Sequence, residues 1–482
     1  MYRFYSIILV PIFMITLLLY SLSINNEFSS SLLSITLILV VVCTAIFVLS
    51  TFVDPVREIR RQYIRPIYLF LLGYLIVFFQ GYLDLLLGYI DEFDKFYFVH
   101  PSLINQSALL SLLGLVALFM GYFSYKKKLL RIKVKYKITQ LKGLILFFTF
   151  LHVLYIYFNI STILYGQYSQ ALIESQVGSA AAYIELLFYV TYLSIIIIHA
   201  INCRLREVVS IKEFVLSLNK LFYINIIIYI FLVMISGDRG PILSIALTYI
   251  CALTVGTLIR IKFKYILVGV LGGALFLSLL GIVRKLEDNS TMYDKIVYAL
   301  KEDKLNEKYS SISPSTAELS TSVRTLHYSV ESVPSRYPYL YGVFQIRESL
   351  KIIPFASGIF DPLFNPHFRY KNSAFYVTWL DKGEFYFVGS GSSINADLYL
   401  SFGTLGVFLG LFLVGRLFRK LDTSIFTSDK NFISLFGIVL SVSILGSSIF
   451  WSRATLLAPI QPIALTYILV KLYMWNMNRK RT

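Results

Sequence analysis

Long apolar segments alternate with short polar connections along most of the chain. Each apolar segment has about 20 residues, the length of helix that crosses the hydrocarbon core of a bilayer. Strands of a membrane barrel would instead be short and alternate in polarity, so the pattern predicts helices. We therefore predict an all-α, polytopic integral membrane protein with about twelve transmembrane helices. The spans fall near residues 5–23, 31–52, 66–89, 103–125, 141–160, 181–201, 220–237, 240–259, 265–283, 394–415, 431–449 and 454–475.

Residues 284–393 contain no apolar run of membrane length. They divide the chain into three predicted parts: transmembrane helices 1–9 in residues 1–283, one large and partly helical loop in 284–393, and transmembrane helices 10–12 in 394–482. The loop carries thirteen Lys or Arg and twelve Asp or Glu residues, so it is nearly neutral.

Composition and charge agree with a membrane protein. The chain is 57% hydrophobic and only 15% charged, which is too apolar for a soluble domain of this size. Positively charged residues are concentrated in every second connection, for example the seven Lys or Arg residues between 126 and 137. Basic connections of this kind lie on the cytoplasmic side of the membrane. Both termini are then cytoplasmic and the large loop lies outside. The net charge of +17 is therefore explained mostly by the basic cytoplasmic connections, and we expect no nucleic-acid partner.

The first of three outer places with notable polar groups is the tight turn at residues 236–241, which carries Asp238 and Arg239. A guanidinium group is a rigid fork that matches phosphate oxygens. Arg239 therefore either clamps an anion at the outer membrane boundary or pairs with Asp238 at the surface.

The second place is the large loop. Ser315 and Glu318 have the spacing of a capping box, and a helical apolar stripe follows as far as Val330. Helical spacing puts Arg324, His327 and Glu331 on the flank of this stripe. His327 is a candidate general base because imidazole titrates near neutral pH. The alternative is a solvated helix flank.

A second loop helix is predicted over residues 343–353. Arg347 and Lys351 lie one turn apart, so they either receive a diphosphate or are interfacial side chains that reach for lipid headgroups. Glu348 lies between them and is a further candidate base. The inward-facing residues predicted for this helix are Val343, Ile346, Leu350 and Ile353.

The third place is where the chain returns to the membrane. Asp397 follows a glycine- and serine-rich segment and falls in the first turn of predicted span ten. A carboxylate there is costly unless it has a partner, and free backbone donors at a helix start attract anions. Arg453 lies on the same predicted membrane face.

Four motifs carry a resemblance to a known family: SGDRGPI at 236–242, YLYGVFQIRESLKIIP at 339–354, GSGSSINADLYLSFGTLGVFLG at 389–410 and WSRA at 451–454. Together with about twelve spans and a late outer loop, they make the chain resemble the Wzy-type polymerases of O-antigen and capsule repeat units. These polymerases belong to a wider group that includes the O-antigen ligases.

The resemblance implies an activity. A growing glycan on undecaprenyl diphosphate would be transferred to a hydroxyl of an incoming lipid-linked repeat unit, at the outer face of the bacterial cytoplasmic membrane. In such proteins outward-facing arginines are held to engage the diphosphate, which points to Arg239, then to Arg347 or Arg453. Among candidate bases we rank His327 ahead of Glu348 and Asp397. The expected partners are lipid-linked oligosaccharides and membrane lipids, with a chain-length regulator protein as a possible third.

Two alternatives stay open at this stage. An O-antigen ligase would use the same donor and topology with a different acceptor. A lipid-linked oligosaccharide flippase or another transporter would carry ionisable groups in mid-span, where this chain has mainly His152 and His199.

No cofactor is expected, and no clustered metal-ligand motif appears in the outer segments. We therefore predict that glycan transfer by membranes containing the protein continues in EDTA at the untreated rate. Loss of transfer on chelation, restored by a divalent cation, would contradict this prediction.

Overall fold

A computed structural model describes residues 2–24, 26–54, 62–125, 138–165, 179–236, 240–257, 259, 261, 310–353, 356, 367–384, 389–425 and 434–479. Within these ranges the chain is helical and has no β-strand. The helices are α1 Tyr2–Ser23, α2 Ser30–Phe52, α3 Pro66–Leu75, α4 Gly81–Leu86, α5 Ser102–Ser124, α6 Lys142–Tyr165, α7 Ser179–Leu205, α8 Ile211–Leu216, α9 Lys220–Ser236, α10 Gly240–Thr257, α11 Pro314–Ser320, α12 Val323–Ser332, α13 Val343–Leu350, α14 Ser373–Lys382, α15 Ile394–Ile425, α16 Leu435–Trp451 and α17 Ile460–Arg479.

The all-α, polytopic class is confirmed. Seven of the described helices are long and apolar enough to cross a membrane, and three shorter apolar helices accompany them. Most predicted boundaries agree within a few residues. Predicted span nine (265–283) and Arg239 lie outside the described residues. The predicted twelfth span is wrong at its start, because the helix begins at Ile460 and not at 454. Pro459 explains the late start, since proline disfavours a helical residue before it.

The described contacts divide the chain into two compact units. Unit one comprises residues 1–129, 306–423 and 448–461, and unit two comprises 130–305, 424–447 and 462–482. The three-part division predicted from hydropathy is a statement about loops and spans, and it stays a prediction.

In unit two, polar side chains on the membrane helices are satisfied locally. His152 Nδ1 lies 2.8 Å from Asn225 Oδ1, and His199 Nε2 lies 2.9 Å from the Phe214 carbonyl oxygen. Asn202 bonds both the N–H and the carbonyl of Thr139. These two histidines therefore have ordinary hydrogen-bond partners within their own unit.

In unit one, α5 is the central helix, with almost every side chain from Ile104 to Phe123 buried. Helices α1 and α2 pack on it, and the ring of Phe47 stacks on that of Phe119 at 4.3 Å. Helix α15 crosses α5 with backbones in contact. Small residues allow such close approach in membrane proteins.

A buried cluster of charges lies where α2, α5 and α15 end and α3 begins. Asp54 forms a two-bonded ion pair with Arg419, and Arg65 Nη1 lies 3.4 Å from Asp422 Oδ2. The Tyr122 hydroxyl donates to Asp422 at 2.6 Å. This cluster marks one end of unit one, opposite the end at which α5 begins.

Helix α15 is broken at Phe402 and Gly403, which have non-helical dihedral angles. A Cβ at Gly406 would lie 2.4 Å from the carbonyl oxygen of Leu398. Eight residues of straight helix would separate these positions by about 12 Å, so the chain must reverse. Residues 394–401, the short arm, therefore fold back along residues 404–425, the long arm.

The short arm lies at the level of the middle of neighbouring membrane helices. Asn395 donates to the Tyr74 hydroxyl, which donates to the Ser111 carbonyl, and both partners are near the centre of their apolar segments. Predicted span ten (394–415) falls within the apolar candidate span Ile394–Thr423, but the chain is broken there and does not form one straight helix. Its first eight residues form a re-entrant element, which is tolerated at membrane depth when it is buried in protein.

The segment 339–342 closes the break in α15. The N–H groups of Leu340 and Tyr341 donate to the carbonyls of Leu400 and Ser401, satisfying the exposed carboxyl end of the short arm. Gly403 has φ +63°, and a Cβ there would lie 2.9 Å from the Tyr339 hydroxyl. Glycine is thus required by both conformation and space.

The first loop helix differs from its prediction. We expected one helix capped by Ser315, whereas the structure has two short helices, α11 and α12, and Ser313 is the N-cap of the first. Pro314 fixes the start of α11, because proline fits the first helical position. Gln80, the last residue of the π-helical turn Ile76–Gln80, donates to the Ser311 hydroxyl and accepts from the Thr316 hydroxyl. Asp84 accepts from the Ser311 hydroxyl and the Ile312 N–H, and these bonds dock α11 on α4 and the π-helical turn.

The crossing of α5 and α15 yields a stability prediction. A Cβ at Gly415 would lie 2.0 Å from the carbonyl oxygen of Leu118, which is backbone and cannot rotate away. Gly415→Ala is expected to lower the free energy of unfolding by about 1–3 kcal/mol, as overpacking does. Thermal unfolding in detergent measures the effect. The control is Gly143→Ala in α6, whose nearest neighbour would be 3.6 Å away; equal melting temperatures for both variants would contradict the packing argument.

Candidate active site

Three separate segments of unit one meet around one pocket. They are α13, the segment 389–397 that enters the short arm, and the turn 452–459, and each carries or adjoins one of the motifs identified in the sequence; the start of α14 forms a fourth part of the wall. The pocket has a volume of about 370 Å³. The lining residues are Glu348, Lys351, Asn372, Ala374, Gly391, Ser392, Arg453, Ala454, Thr455, Leu457, Ala458, Ile460 and Gln461.

Glu348 is a buried carboxyl group at the pocket wall, with only 5% of its surface exposed. The Thr455 hydroxyl oxygen lies 2.7 and 2.8 Å from its two oxygens, and Lys351 Nζ lies 4.0 Å from Oε1. Burial raises the pKa of Glu348 and the charge of Asp397 adds to the rise, while Thr455 and Lys351 oppose it. Such a carboxylate is a stronger base than an exposed one.

Asp397 lies behind this wall and does not line the pocket among the described residues. Its side chain is fully buried, and Oδ2 accepts two hydrogen bonds of 2.9 Å, one from Gln345 Nε2 and one from the Leu456 N–H. The sequence placed Asp397 in the first turn of a spanning helix. The structure places it on the short arm.

Helix α13 is oriented opposite to the prediction. Its buried residues are Phe344, Arg347 and Glu348, whereas Ile346 is 51% exposed and Ile353, just beyond the helix, is 59% exposed. The predicted inward stripe is therefore wrong. The polar side of the helix turns inward because Gln345 and Glu348 have hydrogen-bond partners there, Asp397 and Thr455.

The predicted cations separate into two groups. Lys351 and Arg453 line the pocket, and their side chains are partly or largely exposed. Arg347 is buried and donates from Nη1 to the Tyr370 carbonyl at 2.7 Å. Arg324 donates to Asp381 at 2.8 Å and to the Tyr328 hydroxyl at 2.6 Å.

His327 lies away from the pocket. Its side chain is fully buried, Nε2 lies 2.9 Å from the Tyr82 hydroxyl, and its ring is 5.6 Å from that of Phe98. Burial lowers the pKa of His327 to about 3, so the imidazole is neutral at physiological pH. Glu331, predicted on the same flank, faces His100 and Arg336 instead.

Sequence reasoning missed Gln345 and Thr455 as members of the site. Gln345 lies inside the quoted motif 339–354, and Thr455 directly follows the motif 451–454. Nothing in their side-chain chemistry marks them, because a neutral amide or hydroxyl gains importance only from the buried carboxylate that it meets. Within the described ranges, no three His, Cys, Asp or Glu side chains are grouped to hold a metal ion.

The helical membrane fold and a cationic pocket with a buried glutamate at its wall define a multi-pass membrane protein with a candidate transfer site. The family model of the O-antigen polysaccharide polymerase Wzy matches residues 2–479, nearly the whole chain, and the protein belongs to that family. It is accordingly an O-antigen polymerase of glycosyltransferase type in a bacterial inner membrane. None of the curated proteins and none of the solved structures that were compared matches the chain.

Proposed function

We propose that the pocket is the polymerisation site and that its donor is an oligosaccharide on undecaprenyl diphosphate. The observation that supports this most directly is the presence of two cations, Lys351 and Arg453, beside the buried carboxyl group of Glu348 in one pocket. A diphosphate leaving group needs positive charge, and an acceptor hydroxyl needs a base.

The proposed reaction is a single displacement at C1 of the donor sugar. The acceptor hydroxyl oxygen forms the new bond to C1 while the bond from C1 to the phosphate oxygen breaks. The electron pair of that bond leaves with undecaprenyl diphosphate, whose charge Arg453 and Lys351 offset. The proton of the acceptor hydroxyl passes to the Glu348 carboxylate and then to water.

In this proposal the other predicted residues have different roles. Arg239 is assigned to the binding of the lipid diphosphate, as the resemblance of its SGDRGPI motif implies. Arg347 and Arg324 hold neighbouring chain segments through the Tyr370 carbonyl and the Asp381 carboxylate. His327, despite its rank in the sequence analysis, supports the docking of α12 on α4 through Tyr82.

The proposed topology puts both termini in the cytoplasm and residues 284–393 outside. Support comes from the basic connections and from unit one itself. The end of α2 and the start of α3, which flank a basic connection, lie at the buried charge cluster, whereas α13 and the break in α15 belong to the opposite end.

The first test is glycan length in a strain that lacks the gene and receives variants on a plasmid. Wild type is expected to give long ladders, while Arg453→Ala gives products with one repeat unit, because the diphosphate loses a cation. Arg453→Lys should give intermediate lengths. Complete absence of O-antigen in the deletion strain would indicate a ligase or flippase instead.

The matched control for this test is Arg336→Ala, since Arg336 has a side chain that is 65% exposed and lies outside the pocket lining. Membrane levels of each variant are compared by immunoblot. Arg239→Ala is expected to behave as Arg453→Ala does, and long chains from either variant at normal membrane levels would refute its assignment to the diphosphate site.

The second test separates the two candidate bases. Glu348→Gln keeps the shape but cannot accept the proton, and transfer is expected to fall by about 10²-fold or more. His327→Gln keeps a hydrogen-bonding group near Tyr82 and should retain transfer within about threefold after correction for protein level, the remaining loss reflecting repacking. Equal losses in the two variants would contradict the choice of Glu348.

A further inference from the structure

We propose that Asp397 is a positioning residue of the polymerase, whose buried carboxylate holds α13 and the turn 452–459 at the spacing that brings Glu348 and Arg453 into one pocket. This inference rests on the proposed function of that pocket. It assigns Asp397 a task different from proton transfer, because Asp397 is fully buried and is not among the lining residues.

The two walls of the pocket come from distant parts of the sequence. Helix α13 supplies Glu348 and Lys351, and the turn supplies Arg453 and Thr455, with Glu348 and Thr455 separated by 107 residues. The two walls are not adjacent along the chain. Their relative position therefore depends on a third element that bonds to both.

The short arm of α15 is that element, and Asp397 supplies its central bonds. Oδ2 accepts from Gln345 on α13 and from the Leu456 N–H in the turn. Gln345 lies three residues before Glu348, on the same face of α13, and Leu456 directly follows Thr455. Asp397 Oδ2 thus bonds one residue near Glu348 and one residue next to Thr455. It thereby positions both partners of the Glu348–Thr455 contact.

A second bond from the short arm supports the same arrangement. The Ile394 N–H donates to the Ser452 carbonyl at 3.0 Å, so the turn is bonded to the short arm at two of its residues. On the other side, the Ser401 hydroxyl oxygen lies 3.0 Å from Gln345 Oε1, which orients the amide toward Asp397. The short arm therefore fixes the position of α13 relative to the turn 452–459.

Asp397 affects Glu348 through its charge as well as through the hydrogen bonds that it accepts. Its ionised form opposes ionisation of Glu348 and is one cause of the raised pKa of that residue. A neutral side chain of the same shape should keep both accepted hydrogen bonds and remove only the charge. The two contributions can thus be separated by two substitutions.

The experiment compares Asp397→Asn and Asp397→Ala in the full-length protein, with transfer in native membranes measured against pH. The amide oxygen introduced by Asp397→Asn keeps both bonds, so transfer is expected to persist. Its acidic limb should move to lower pH, since the pKa of the base falls and the base stays deprotonated to lower pH. Asp397→Ala leaves two donors without an acceptor and should lower transfer at every pH.

A readout that does not depend on activity is the labelling of Arg453→Cys by a membrane-impermeant thiol reagent. The native cysteines are buried, which gives a low background. The labelling rate should be the same whether Arg453→Cys is made alone or together with Asp397→Asn, and it should change when Arg453→Cys is combined with Asp397→Ala. If Asp397→Ala does not accumulate, Gln345→Met removes the side-chain bonds of α13 to Asp397 and Ser401, leaves the bond from the Leu456 N–H, and should change labelling in the same direction.

Two results would overturn the inference. Loss of transfer in Asp397→Asn at every pH, with unchanged labelling, would make Asp397 a catalytic group. Wild-type labelling and an unshifted acidic limb in all variants would remove its positioning role. A fully active Glu348→Gln would instead refute the proposed base, while the labelling results would still decide the position of the turn.

Discussion

The need to satisfy buried carboxylates determines the organisation of the site end of unit one. A carboxylate surrounded by apolar helices is stable only with donors around it. Asp397 draws an amide from α13 and a backbone N–H from the turn 452–459, and Glu348 draws the hydroxyl of Thr455. These few bonds connect three segments that hydropathy alone would leave unrelated.

The break in α15 makes this convergence possible. A straight helix from residue 394 would carry Asp397 to the membrane boundary, one side of it facing lipid. Because the chain reverses at Gly403, the short arm is enclosed by unit one and its carboxyl end is closed by the N–H groups of Leu340 and Tyr341. The residues that close the break immediately precede α13, so closing the short arm also positions the helix that carries Glu348.

The charge cluster at the other end has a different character. Asp54, Arg419, Arg65 and Asp422 satisfy one another, with Tyr122 between the pairs. Removal of one partner from such a buried set strongly destabilises a protein. At the site end, by contrast, the pocket-lining Arg453 is exposed while the carboxylate of Glu348 is matched mainly by a hydroxyl. Free positive charge is thus retained where an anionic ligand is proposed to bind.

Much of the fold could be predicted from the sequence, because spans of about 20 apolar residues leave no other stable arrangement in a bilayer. The break at Phe402 could not, since glycine is common in membrane helices and residues 398–410 are mostly apolar. The motifs around Glu348, Asp397 and Arg453 lie in segments that the structure brings together. Spacing also favoured His327, but spacing on one helix cannot tell that Tyr82 and Phe98 from other helices enclose the ring.

The orientation of α13 shows why amphipathic patterns need care in membrane proteins. The prediction assumed water outside and an apolar core inside, which turned Ile346 inward and Glu348 outward. The polar face of α13 instead turns to an interior that offers hydrogen bonds, because a buried carboxylate needs donors around it. That interior contains the carboxylate of Asp397, which accepts from Gln345, and the hydroxyl of Thr455, which bonds to Glu348. The orientation of α13 is therefore a consequence of the site and not of the hydrophobic stripe.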